Sequence, residues 1–204
     1  MIWTIICFII AVVVIVVDQI TKVIAVDKLS ELKDHSYEVI KGVLSFTYVE
    51  NDGMALGLLD NARWIFMVVS TVAIIGLMVY MIGWRPKSKL INISVGLIIG
   101  GGIGNMIDRF FYTGFVGETA GEKVVRDFID VNIFGDLWPW VFNVADAAVC
   151  VGGGLLFIWC VYGMILEAKA EKAKKLVDAA VAVKKPSDNE DEGKDGSEDN
   201  KTEE

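Results

Sequence analysis

The chain has 204 residues, 54% of them apolar, with 27 acidic residues against 19 basic ones and a single histidine. The formal charge of −8 is uneven: from Pro186 onward nine acidic residues and two lysines contribute −7, so the acidity describes the tail and nothing suggests nucleic-acid binding. Three cysteines (Cys7, Cys150, Cys160), all in apolar runs, and the lone His35 in a polar loop exclude a disulfide framework and a His/Cys metal site. The cysteines read as small core residues, and no cofactor or metal is expected.

Residues 2–26 form the first expected membrane span. The run 5–17 has no polar residue, and the segment is long enough for ~30 Å of hydrocarbon at about 1.5 Å per residue. It has neither a basic start nor a small-x-small site, so it reads as a span and not as a cleaved leader. Asp18 and Lys22 stand four apart on one helical face, an internally compensated pair that fixes this helix against a neighbour. Residues 27–63 are a polar excursion. Within it, V-L-S-F-T-Y at 43–48 predicts a short strand, and N-D-G at 51–53 a turn. Asn51 and Gly53 read first as a hairpin turn. The alternative is an amide presented to a peptide backbone that Gly53 allows to come close.

A second span is expected at 64–83. The loop after it, with Arg85, Lys87 and Lys89, reads as cytoplasmic. The third span, 90–107, is rich in glycines (Gly96, Gly100, Gly101, Gly102, Gly104), which suit close helix packing, and it ends in Asn105, Asp108 and Arg109 on one face. The loop 110–140 holds a surface excursion at 113–123, then Asp127, Asp130 and Asp136, and Trp138-Pro139-Trp140 as an interfacial anchor. The fourth span, 141–165, carries Asn143 and Asp146 three apart near its outer end, and lysines follow it, as at a cytoplasmic end. Residues 167–185 read as a charged helical extension in the cytoplasm and 186–204 as a disordered acidic tail, leaving 1–166 as one four-helix domain.

This topology brings every costly polar residue to one surface. Charges at membrane depth are rare unless they pair or face a wet cavity. With no Ser/His or Cys/His set available, carboxylate acid–base chemistry is what remains, since two close aspartates share one proton and can activate water and protonate an amide. Whether Asp127 meets Asp146 is not decided by spacing; Asp108, Asp130 and Asp136 stay open as alternatives. An ion pathway would spread polar residues through the depth. A scaffold would use the cluster only to pin helices.

Five blocks in order, V-D-Q-I-T-K at 17–22, E-N-D-G-M-A-L-G at 50–57, G-G-G-I-G-N-M-I-D-R at 100–109, V-R-D-F-I-D at 125–130 and F-N-V-A-D-A at 142–147, resemble the lipoprotein signal peptidase (signal peptidase II) family of bacterial membrane aspartic proteases. The resemblance covers residues 1–166. It implies an all-α polytopic fold with four transmembrane helices and a small extracytoplasmic β-sheet cradle, in the bacterial cytoplasmic membrane, with both termini cytoplasmic and the active site on the outer face. It implies that Asp127 and Asp146 are the catalytic dyad, and that Asn51, Gly53, Asn105, Arg109, Asn143 and Ala145 serve the site and substrate positioning. Asp18, Lys22 and Asp108 then support fold and site. The implied reaction is cleavage of a prolipoprotein just before its diacylglyceryl-cysteine, by a monomer in contact with membrane lipids and open to globomycin-type inhibitors. Three departures stand out: a long connection at 113–123, no aromatic near Leu56, and Arg126 beside Asp127, where a cation is expected to lower the aspartate's pKa.

Overall fold

The computed structural model describes residues 2–53, 62–137 and 140–184, without the side chains at 62, 63, 66, 134, 136, 137 and 179–184. The departure near Leu56, the Trp138-Pro139 part of the anchor, the Asp136 side chain and the tail 186–204 lie outside the described residues. By contacts the chain divides into Met1–Cys160 and Val161–Glu204. Four α-helices occur among the described residues: α1 (Ile2–Leu29), α2 (Ala62–Gly83), α3 (Lys89–Phe111) and α4 (Val144–Lys184). By length and composition, three (α1, α3 and the apolar part of α4) are suited to cross a membrane, and Met67–Gly83 is a shorter apolar helix. Ile5, Ile9, Val12 and Val16 on α1, and Phe157 and Ile158 on α4, are exposed, as side chains facing lipid are.

Small residues bring the helices together. A Cβ on Gly100 would stand 2.7 Å from the Ala11 carbonyl oxygen, and one on Gly104 would stand 2.8 Å from Asp18 Oδ2. Because Cys7, Ala11 and Asp18 meet Gly96, Gly100 and Gly104 in turn, α1 and α3 run in the same direction. Gly101 abuts the Ala145 carbonyl and Gly152 the Ser94 carbonyl, so α4 runs antiparallel to α3. In lipid, where no water drives apolar burial, such close approach supplies the packing attraction. This geometry brings the end of α1, the end of α3 and the start of α4 to one end of the bundle.

A four-stranded antiparallel sheet lies at that end, in the order β1 (Ser36–Ile40), β2 (Leu44–Asn51), β3 (Val125–Val131), β4 (Val141–Phe142). The strand expected at 43–48 is the core of β2. Residues 141–142, expected to open the fourth span, are instead β4, pairing Phe142 with Ile129; the helix begins after Asn143. Pairing of β2 with β3 shifts by one residue between Phe46↔Ile129 and Val49↔Asp127. Side chains alternate with period two, so a one-residue shift changes which residue faces which side. In the first register Glu50 would share the face of Asp127. After the bulge Asn51 does, and Glu50 is paired with Arg126 on the other face.

The cysteine expectation needs correction. Cys7 is fully buried beneath Gly96, but Cys150 and Cys160 are exposed. An apolar run in a membrane helix carries no sign of which face meets protein and which meets lipid, so burial could not be read from it.

Candidate active site

Two polar clusters stand side by side here. The first is ionic. Lys22, fully buried, sits 2.8 Å from Asp18 and 3.4 Å from Asp108. Arg126 grips the same Asp108 side-on, through Nε at 3.1 Å and Nη2 at 2.6 Å, while its backbone N–H donates to Asp108 Oδ2 at 3.0 Å. Asp18 Oδ1 accepts the Ala145 N–H at 2.9 Å, tying α1 to α4. Two anions and two cations balance, which is how buried charge is tolerated. Asp108 thus pairs with Lys22 and Arg126, on other elements.

The second cluster is held by amides. Asn51 Nδ2 donates to Asp127 Oδ2 at 2.9 Å, and Asn143 Nδ2 to Asp127 Oδ1 at 2.6 Å. Asn105 Nδ2 donates to Asp146 Oδ1 at 2.7 Å. Asn143 and Asp146 close a reciprocal cap at the start of α4: the Asp146 N–H donates to Asn143 Oδ1 at 2.9 Å, and the Asn143 N–H donates to Asp146 Oδ2 at 3.2 Å. This is a capping box in N-x-x-D form, and it places Asp146 at a helix N-terminus, where N–H dipoles favour negative charge. Asn143 therefore touches both carboxyl groups. Asn105 Oδ1 accepts from Lys22 Nζ at 2.9 Å and from Asn143 Nδ2 at 3.0 Å. An ammonium only donates, so Lys22 turns the Asn105 oxygen toward itself and leaves the amide nitrogen for Asp146.

Burial pushes the pKa of Asp127 up to about 7, aided by the charge of Asp146 and opposed by the hydrogen bonds from Asn51 and Asn143. The expectation that Arg126 lowers it fails, because neighbours on a strand point to opposite faces and the guanidinium is engaged with Asp108. Asp130 is held apart from the cluster, accepting from Thr47 Oγ1 at 3.0 Å. Gly53 has φ +89° and donates its N–H to Asn51 Oδ1 at 2.8 Å, and a Cβ there would meet no atom within 4 Å among the described residues. Backbone conformation, then, is the chain's own demand for glycine at this position.

A cavity of about 500 Å³ opens beside Asp146, while Asp127 is buried behind it. Asn51, Asn105, Arg109 and Asp146 line its polar end, and Ile74, Leu77, Ile98 and Val149 its apolar depth between the helices. Gln19 was not singled out in the sequence, yet it bridges the ionic cluster: its amide donates to Asp18, the Gly104 carbonyl and Asp108, and its oxygen accepts from Arg126. Its place beside Asp18, at helical spacing from Lys22, was the available signal.

Apolar helices that bring two amide-bonded aspartates under a small sheet, with Asp146 beside a cleft, have the layout that a membrane hydrolase working by carboxylate acid–base chemistry requires. The profile of the family described as Signal peptidase (SPase) II matches residues 10–162. A lipoprotein signal peptidase of Anoxybacillus flavithermus is 38% identical over 152 residues, 74% of this chain and 83% of that one. Two solved structures, each titled as a bacterial membrane enzyme determined by the in meso method, are similar in fold. The one at 2.3 Å resolution has a TM-score of 0.64 at 30% identity, over 78% of this chain and 88% of that chain. The one at 1.9 Å has 0.63 at 32%, over 76% and 91%. The chain belongs to the signal peptidase II family and is a membrane-embedded aspartic protease.

Proposed function

We propose that the protein removes the signal peptide of prolipoproteins whose cysteine already carries diacylglycerol, cutting just before that cysteine with Asp127 and Asp146. The observation that carries this is the amide-held pair. Asp146 accepts hydrogen bonds at a helix start and serves as the ionised base, while Asp127, with its pKa near 7, holds the proton. Asp146 takes a proton from water as the water oxygen bonds to the scissile carbonyl carbon, and Asp127 gives its proton to the carbonyl oxygen. The C–N bond then breaks, the proton on Asp146 passes to the leaving nitrogen, and a hydroxyl proton of the intermediate returns to Asp127. One water is consumed and both carboxyl groups regain their starting states. Asn51 and Arg109 at the cavity rim are suited to hold the peptide backbone, and the apolar depth suits a lipid-anchored substrate.

Positive residues at 85–89 and after 165, with α1 and α3 parallel, support four spans, cytoplasmic termini and an extracytoplasmic site. An ion pathway is disfavoured by what the buried polar side chains at the start of α3 do: Asn92 donates to the Pro86 and Ser88 carbonyls, and Ser94 to the Leu90 carbonyl, each on local backbone. The test is cleavage of a diacylglyceryl-cysteine prolipoprotein in micelles by wild type, Asp127→Asn and Asp146→Asn, with melting curves. Activity lost in both folded variants supports the dyad. Cleavage retained by either variant removes that aspartate from it.

A further inference from the structure

The back of the sheet carries a network that the reaction does not use. Glu50 and Arg126 are cross-strand partners there, and each precedes a front-face residue by one peptide unit: Glu50 precedes Asn51, and Arg126 precedes Asp127. Arg126, only 6% exposed, is fixed to α3 by three hydrogen bonds to Asp108, to α1 by Gln19, and lies 4.3 Å over the Tyr112 ring. Glu50 is fixed to the connection 113–123. Its carboxylate accepts the N–H groups of Phe115 at 3.0 Å and Val116 at 3.1 Å, the Thr119 hydroxyl at 2.6 Å and the Tyr48 hydroxyl at 3.0 Å. Burial raises the Glu50 pKa, but these donors outweigh it and hold the group below its usual range. Tyr48 stacks on Phe115 at 6.0 Å and bonds the Tyr112 hydroxyl at 3.1 Å, so the two halves meet. Lys123 closes the base of the loop on Thr113 Oγ1 at 2.7 Å.

We propose that Arg126 and Glu50 are positioning residues that hold Asp127 and Asn51 over Asp146 from behind the sheet, and that the 113–123 connection is the brace against which Glu50 works. The proposal rests on the dyad reading above. Its physical basis is the two-residue repeat of a strand: clamping one residue's side chain and backbone N–H fixes the strand's rotation, and with it the direction of the next side chain. A bidentate guanidinium sets that rotation more firmly than a lysine ammonium, which keeps the charge but not the fork. The groups facing Asp127 are Asp146 from α4, Asn143 and Asn51, with the charge of Lys22 beyond Asn105, and Arg109 lines the cavity beside Asp146.

The test uses the full chain in micelles, with Arg126→Met, Arg126→Lys and Glu50→Gln. Two readouts are taken: the pH profile of diacylglyceryl-cysteine prolipoprotein cleavage, and the titration of Asp127 by carboxyl NMR, assigned by its loss in Asp127→Asn. An Asp127 released from its place moves away from Asp146 and toward water. Folded Arg126→Met is expected to lose about 10–100-fold in kcat with little change in KM. Its alkaline limb and the Asp127 titration should fall together to lower pH, with Arg126→Lys intermediate and Glu50→Gln shifted the same way by less. A role in stability alone reduces the folded fraction and moves neither curve. Wild-type limb and wild-type titration in folded Arg126→Met overturn the proposal. If that variant does not fold, the same comparison in Arg126→Lys and Glu50→Gln decides. If wild type cleaves nothing, the titration still decides: a shift upholds positioning while the peptidase reading falls, and no shift overturns both.

Discussion

The two clusters at the end of the bundle are each built around two aspartates and do opposite things. Around Asp18, Lys22, Asp108 and Arg126 every buried charge meets its opposite within 3.4 Å. Around Asp127 and Asp146 the direct partners are Asn51, Asn105 and Asn143, amides that satisfy oxygen lone pairs without cancelling charge. Neutralised carboxylates are fixed in one state. Amide-held carboxylates are not neutralised, and burial, aided by the charge of Asp146, raises the Asp127 pKa to about 7. Lys22 touches both clusters, pairing with Asp18 and Asp108 while orienting Asn105. The ionic cluster is thus the frame for the titrating one.

Substitutions should separate the two. Asp127→Asn and Asp146→Asn should each reduce cleavage by about 10²–10⁴-fold or more while leaving a cooperative melt, because each removes a proton carrier and keeps the shape. A large drop in melting temperature with activity preserved per folded molecule would break the distinction. Lys22→Met should do the reverse in kind, costing about 3–5 kcal/mol of stability by leaving Asp18 and Asp108 facing each other with only Arg126 in compensation. Chemical denaturation in micelles would show it, and unchanged stability would mean that the cation is needed only at Asn105.

The pH profile sharpens the contrast. A general acid works while protonated, so activity should be present below the Asp127 pKa of about 7 and be lost as pH rises through it. The Asn51 hydrogen bond lowers that pKa, so Asn51→Ala should move the alkaline limb upward, opposite to the Arg126→Met shift, while reducing the rate. A limb that stays fixed would argue against Asp127 as the acid. Gly101→Ala should cost about 1–3 kcal/mol, since its methyl would overlap the Ala145 carbonyl beside Asp146. At the small end, Glu171→Gln breaks an exposed pair with Lys175 and should change neither melting nor cleavage measurably.

Much of this was legible in the chain. Hydrophobic run length marked four spans; all four are apolar helices, and three of them are long enough by themselves to cross a bilayer, which demands about 20 apolar residues whatever their neighbours. Residue type marked β2, but the hairpin reading of Asn51–Gly53 was not met: the hairpin joins β1 to β2, whereas Asn51 pairs with Val125 of β3 and turns its amide to Asp127. The i, i+4 spacing marked the Asp18–Lys22 pair, since one helix suffices to bring them together. The exposed cysteines were not legible, nor was the direction of Arg126, because each depends on which face of an element meets protein.

What the sequence determined by itself is therefore local and periodic: apolar length, small-residue stripes and polar residues rare enough at depth to demand partners. The tertiary structure alone decided which carboxylates are neutralised. A one-residue bulge in β2 puts Asn51, and not Glu50, beside Asp127. The parallel run of α1 and α3 brings Lys22 to Asn105 and Asp108. The start of α4 sets Asn143 between the two aspartates. Charge compensation depends on distances of a few ångströms between segments far apart in sequence, and no spacing along the chain encodes those distances.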